Sequence, residues 1–158
     1  MSHDRNDDGR QILGRVNREE FIGRTAELER LVSHAERSAE QSDPGEARGL
    51  LILLAPLAGV SELLRQTFDA LFKRREVVPI YFALPQADTT AVSAAIEFLK
   101  TFLQQYIAYR RDEPALCRAS LTLNDLVKLA PAADLAWIEE LVAAYNRQRF
   151  EEEGRTRA

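Results

Sequence analysis

Residues 49–66 constrain the fold of this chain more than any other stretch. Five consecutive apolar residues, Leu50, Leu51, Ile52, Leu53 and Leu54, lie between Gly49 and Pro56. A small loop follows, and an amphipathic segment opens at Ser61. Periodicity alone does not separate a buried strand from a buried helix, but the shortness of the run and its flanking Gly and Pro favour a strand. A run that is apolar on both faces suits the centre of a parallel sheet covered on each side. The segment from Ser61 to Arg75 reads as a helix with Leu64, Phe68, Leu71 and Phe72 on one face, and Lys73, Arg74 and Arg75 suit its C-terminal end. Val77, Val78, Pro79, Ile80, Tyr81, Phe82, Ala83 and Leu84 then form a second strand candidate, with Pro79 near its start where a missing donor is tolerated. Strand, helix and strand in this order predict a βαβ unit with parallel strands at about 50–55 and 77–84. The expected fold class is therefore α/β, with further helices around that core.

Those helices are marked by caps and spacing. Thr25 is a candidate N-cap, Glu27 favours the first turn, and Leu28, Leu31, Val32, Ala35 and Ala39 recur at helical intervals, so a helix is predicted from Ala26 to about Gln41. Ser42, Asp43, Pro44 and Gly45 stop it. Asp88, Thr89 and Thr90 offer N-caps for a long helix to about Arg111, with Val92, Ala95, Ile96, Leu99, Leu103, Tyr106 and Ile107 as its apolar stripe. Phe98, Phe102 and Tyr109 widen that stripe into a core or partner surface, and Asp112, Glu113 and Pro114 end the helix. Thr122, Leu123, Asn124 and Asp125 resemble a capping box that opens a short helix to Leu129. Pro131 starts the last helix, which carries Leu135, Ile138, Leu141, Val142 and Tyr145 on one side, with Trp137 as a core or interface anchor. The polar residues 1–17 read as a mobile tail, 18–150 as one domain, and 151–158 as a frayed charged tail.

Composition excludes several classes. The chain has 158 residues, a net charge of -4, 46% hydrophobic and 29% charged residues, which is a globular composition without a basic excess for nucleic acid. One cysteine, Cys117, permits no internal disulfide and, with only His3 and His34, no cysteine-rich zinc site. No apolar run approaches the roughly 18 to 20 residues that span a bilayer. The polar, acidic N-terminus does not read as a signal peptide. A cytoplasmic protein with no membrane contact is expected.

The loop between the first strand and its helix is the candidate site. A phosphate-binding loop curls backbone N–H groups around phosphates, and the following helix points its positive end at them. A lysine reaches the outer phosphates and a Ser or Thr hydroxyl holds magnesium. The pattern G-x-x-x-x-G-K-[ST] falls on residues 54–61. Gly59 and Ser61 keep the second glycine and the hydroxyl, whereas Leu54 replaces the first glycine and Val60 replaces the lysine.

The segment Phe21, Ile22, Gly23, Arg24, Thr25, Ala26, Glu27, Leu28, Glu29, Arg30, Leu31 resembles the opening of AAA+ and STAND-type ATPase domains, of the archaeal-type or origin-recognition-like kind. Residues 50–66, with Pro56, Gly59, Ser61, Leu63, Leu64, Arg65 and Gln66, are similar to that family's P-loop and its helix. The resemblance covers about residues 21–84. It implies an ATP-binding α/β domain, with Ile22, Gly23 and Arg24 near the adenine, Pro56, Gly59 and Ser61 near the phosphates, and Ser61 on magnesium. Val60 removes the phosphate-facing charge. No Walker B strand follows Leu84, since the spacing around Asp134, Glu139 and Glu140 is helical. Either the domain is the first part of a longer ATPase, or it has lost hydrolysis and acts as a regulatory or assembly module. The third reading drops nucleotides altogether: a protein-interaction module whose helices at 90–111 and 132–150 present apolar faces to a partner or a second copy.

Other chemistry-bearing residues have bland explanations. A serine opening a helix needs no nucleotide, and Arg24 suits a surface position before a helix. Cys117 lacks a base nearby in sequence, and His34 sits beside the apolar stripe of its helix rather than on it. Lys73, Arg74, Arg75, Arg110 and Arg111 complement helix ends.

Overall fold

The computed structural model describes residues 11–17, 20–21, 23–40, 50, 52, 59–84 and 90–156. Among the described residues five α-helices run in chain order: α1 (Thr25–Glu40), α2 (Val60–Arg74), α3 (Ala91–Arg111), α4 (Leu123–Leu129) and α5 (Leu135–Thr156). A 3₁₀ turn at Pro114–Arg118 joins α3 to α4.

The α/β expectation is overturned. Among the described residues the chain is all-helical, and no residue belongs to a strand. Residues 78–84 follow an irregular path. A strand is stabilised only by a ladder with a neighbour, and no neighbour is present among the described residues. Val77 and Pro79 instead serve as packing: Val77 lies against the α1–α2 core and Pro79 is buried. Leu84, read as the last residue of that strand, is 82% exposed. In the run at 50–55, Leu50 and Ile52 carry no strand, and Leu50 is 53% exposed, which a strand covered on both faces would not allow. The other residues of that run lie outside the described residues. The βαβ P-loop core is therefore withdrawn.

The contacts divide the chain into two compact units, Met1–Tyr81 and Phe82–Ala158. In the first, Leu28 and Val32 of α1 pack against Leu63, Ala70 and Leu71 of α2, with Phe21, Leu31, Ala35 and Val77 around them. On α2 it is Leu63, 2% exposed, that faces this core, one position from Leu64, which was placed on the expected apolar face and is 36% exposed. α2 is buried continuously from Gln66 to Phe72, a pattern that requires cover on several sides at once. Arg74 ties the two helices at their edge through Glu36, at 2.9 Å, and Glu29, at 3.2 Å.

Part of that cover comes from residues 11–17. They were expected to be a mobile tail. They lie docked on α2 instead, with Ile12 4% exposed and Gly14 buried.

The second unit is built as its sequence signals require. The Thr90 hydroxyl accepts the Ser93 N–H at 3.1 Å and starts α3. Asp112 ends it in the left-handed conformation at φ 56°, with its N–H and that of Glu113 turned back onto Tyr109 and Ala108. That pairing is a Schellman closure, with aspartate in place of the usual glycine. Thr122 and Asp125 form a reciprocal capping box at α4. Leu103, Ile107, Leu126, Ile138 and Val142 make the core, where α3, α4 and α5 meet. The buried Gln104 amide satisfies two carbonyls around the 3₁₀ turn, Leu116 at 2.6 Å and Ala119 at 2.8 Å. The last helix begins at Leu135 rather than at Pro131. It continues to Thr156 through most of the stretch expected to be a frayed tail.

Candidate functional site

The residues singled out around the loop fall at two helix starts. Gly59 caps α2 with φ 70° and no side-chain hydrogen bond, and Ser61 is exposed in the first turn. Gly59 needs its glycine for that backbone angle rather than for space, since a Cβ there would meet nothing within 4 Å. Gly23, with φ 87°, and Arg24 precede α1, where the Arg24 carbonyl accepts the first helical bond from Leu28. Nothing among the described residues links the pair at α1 to the pair at α2. Ile22 and Pro56 lie outside the described residues. Among the described residues no cluster of three or more His, Cys, Asp or Glu is arranged to hold a metal. No helix of the described chain is long and apolar enough to cross a membrane.

A more developed constellation stands in the second unit. Phe98, Phe102 and Tyr106 recur every fourth residue of α3 and so share one face. Their rings follow one another at 6.3 and 6.1 Å between centroids, in near-parallel pairs. Phe82 meets Phe98 edge-on at 5.3 Å, and Trp137 of α5 meets Tyr106 edge-on at 5.3 Å. Phe102 and Tyr106 lean on the core with their inner sides. The row is open to solvent at both ends, Phe98 being 49% and Trp137 36% exposed, and Leu141, one turn beyond Trp137, is 37% exposed.

Asp134 organises the Tyr106–Trp137 end of this row. It stands at the head of α5, where its carbonyl accepts the Ile138 N–H and a carboxylate suits the helix dipole. Its Oδ1 accepts the Tyr106 hydroxyl at 3.0 Å and, at a long 3.4 Å, the Trp137 indole N–H. Its Oδ2 accepts Arg110 Nε at 2.9 Å. Burial works to raise the Asp134 carboxyl, but the hydrogen bonds from Arg110, Tyr106 and Trp137 and the Arg110 charge outweigh it and hold the group below the ordinary carboxylate range. Burial and the bond to Asp134 push the Tyr106 phenol up. Tyrosine, tryptophan and arginine are thus fixed on one buried anion, with their outer faces still accessible.

Asp134 was read in sequence only as a failed acidic motif. A usable signal was present: an aspartate directly before an apolar helical run is a helix-start residue. Two of its side-chain partners, 24 and 28 residues upstream, leave no local trace.

The chain was compared with protein-family models, curated proteins and solved structures, and none matches it.

Proposed function

We propose that this chain is a helical protein-interaction module that seats an apolar segment of a partner protein on the aromatic row of its second unit and performs no catalysis of its own. The carrying observation is the row Phe98, Phe102, Tyr106 and Trp137, exposed at its ends and clamped at Asp134. Trp, Tyr and Arg are the residue types that dominate binding energies at protein interfaces. A side chain already held in one rotamer loses less entropy on binding. A contiguous exposed apolar patch favours an interaction surface, and Phe98, Trp137 and Leu141 are the exposed members here. The nucleotide reading, by contrast, depends on a parallel sheet behind the loop, and the described fold offers none.

The test uses full-length protein with Phe98→Asp, which spoils the row, and Leu64→Asp, an exposed apolar position of the first unit, as control. Both variants are expected to keep the wild-type far-UV circular dichroism. A partner that co-purifies with wild type and with Leu64→Asp should be lost from Phe98→Asp. Equal recovery by both variants overturns the reading.

A further inference from the structure

The docked segment 11–17 is held in an unusual way. Five consecutive backbone N–H groups, from Ile12 to Val16, all point at two carboxylates of α2. Asp69 accepts Leu13 on one oxygen at 2.7 Å, and Ile12 and Gly14 on the other at 2.9 and 3.1 Å. Glu62 accepts Arg15 at 2.9 Å and Val16 at 3.1 Å. Gln66 lies between them, donating to the Val16 carbonyl at 2.6 Å and to Glu62 at 2.9 Å. Glu62, Gln66 and Asp69 recur at helical spacing, so they form one polar stripe along α2. Successive amides curved around an anion make a nest, and here the anion is a carboxylate that is 6% exposed.

The stripe reads backbone, with two exceptions. Ile12 is buried, and a Cβ at position 14 would stand 2.8 Å from Gln66 Nε2 and 3.1 Å from Asp69 Oδ2, so a larger residue there must displace the Gln66 amide or the strap. The Gln66 amide is itself held by two hydrogen bonds, so it does not yield freely. The side-chain hydrogen bond of Gln11 stays within the segment, to Asn17. Residues 11–17 therefore sit on α2 as a peptide ligand sits on a receptor.

We infer that the Glu62–Gln66–Asp69 stripe of α2 is a peptide-binding site, that residues 11–17 are its tethered occupant, and that the external ligand is a partner segment of the same pattern, an aliphatic residue two positions before a glycine with the following amides free. A tethered occupant competes at the effective concentration set by its covalent connection. An external segment binds when the strap is weakened or lifted, and the strap is thereby an autoinhibitory device for this site.

The experiment measures anisotropy of a fluorescein-labelled peptide with the sequence of residues 11–17 against the full-length chain. Saturable binding is expected to Gly14→Ala, in which the added Cβ crowds Gln66 and weakens the strap. Binding to wild type should be at least tenfold weaker, and Gly14→Ala with Asp69→Asn should bind none. Failure of Gly14→Ala to bind at millimolar peptide, or equal binding with and without Asp69→Asn, overturns the inference. Self-association of the wild type that Asp69→Asn abolishes is the same site filled by a second copy, and supports it. Should Gly14→Ala not fold, amide exchange of the wild type decides. Amides 12–16 must exchange at least tenfold faster than those of 68–72, and exchange at one common rate refutes a strap that opens on its own.

Discussion

Asp69 and Asp134 are buried to nearly the same degree, 6% and 8% exposed, and each gathers three donors. Their donors differ in kind. Asp69 binds the backbone of a segment more than 50 residues upstream, so its grip requires little of the sequence it holds. Asp134 binds the side chains of Tyr106, Arg110 and Trp137, so each partner is a specified residue. A carboxylate that reads backbone makes a replaceable contact, suited to a strap. A carboxylate that reads side chains locks a surface into one shape, suited to a preorganised face. The first unit therefore carries the exchangeable element of this chain and the second carries the rigid one.

That contrast gives graded expectations. Asp69→Asn should be the costliest change, about 3 kcal/mol, because the introduced amide group leaves buried N–H donors unpaired. Chemical denaturation followed by far-UV circular dichroism checks it, and a loss below about 1 kcal/mol would break the comparison. Asp134→Asn should cost less, about 2 kcal/mol, since the freed Arg110, with its side chain 45% exposed, can turn to water. Trp137 is the sole tryptophan, so its emission reports the second unit directly. It should shift to the red in Asp134→Asn and stay fixed in Asp69→Asn.

Acid should act on the same hub. The folded Asp134 carboxyl lies below its ordinary value, near 3.9 in an unfolded chain. Its contribution is therefore complete above that value and is lost as pH falls through the lowered folded value. Asp125, lowered by its hydrogen bonds from Thr122, acts in the same direction. Denaturation midpoints read by Trp137 emission should fall from pH 5 to pH 2, and fall less in Asp134→Asn. A rise in stability over that range contradicts the assignment. The smallest effect belongs to a local device: Thr122→Ala should cost about 1 kcal/mol through loss of the α4 cap, measurable by the same denaturation.

The helix caps of the second unit were legible because they are local. Thr90 at the start of α3, Asp112 at its end and the Thr122–Asp125 box are each read from neighbours a few residues apart, and the structure has all three. In the first unit both helices were legible, whereas the docking of residues 11–17 was not, because its contacts span 46 to 57 residues and join polar groups to backbone, which hydrophobic periodicity does not register. Residues 11–17 look like any polar terminus until Asp69 is placed beside them. The apolar runs at 50–55 and 77–84 misled for a related reason. Strand propensity reports fitness for a half-buried pleated surface, but whether a partner strand exists is a tertiary fact. Of the nucleotide-site residues, Gly59 does occupy a left-handed position before a helix, and a turn plus a helix start accounts for that without a phosphate.

The central claim, that the aromatic row of the second unit is the partner-facing surface, is tested most directly by site-specific photo-crosslinking in the full-length chain. A photoreactive phenylalanine analogue at position 98 is compared with the same group at position 64. The account predicts a discrete protein adduct from position 98 and none from position 64. Adducts of equal yield at both positions, or from position 64 alone, would contradict it.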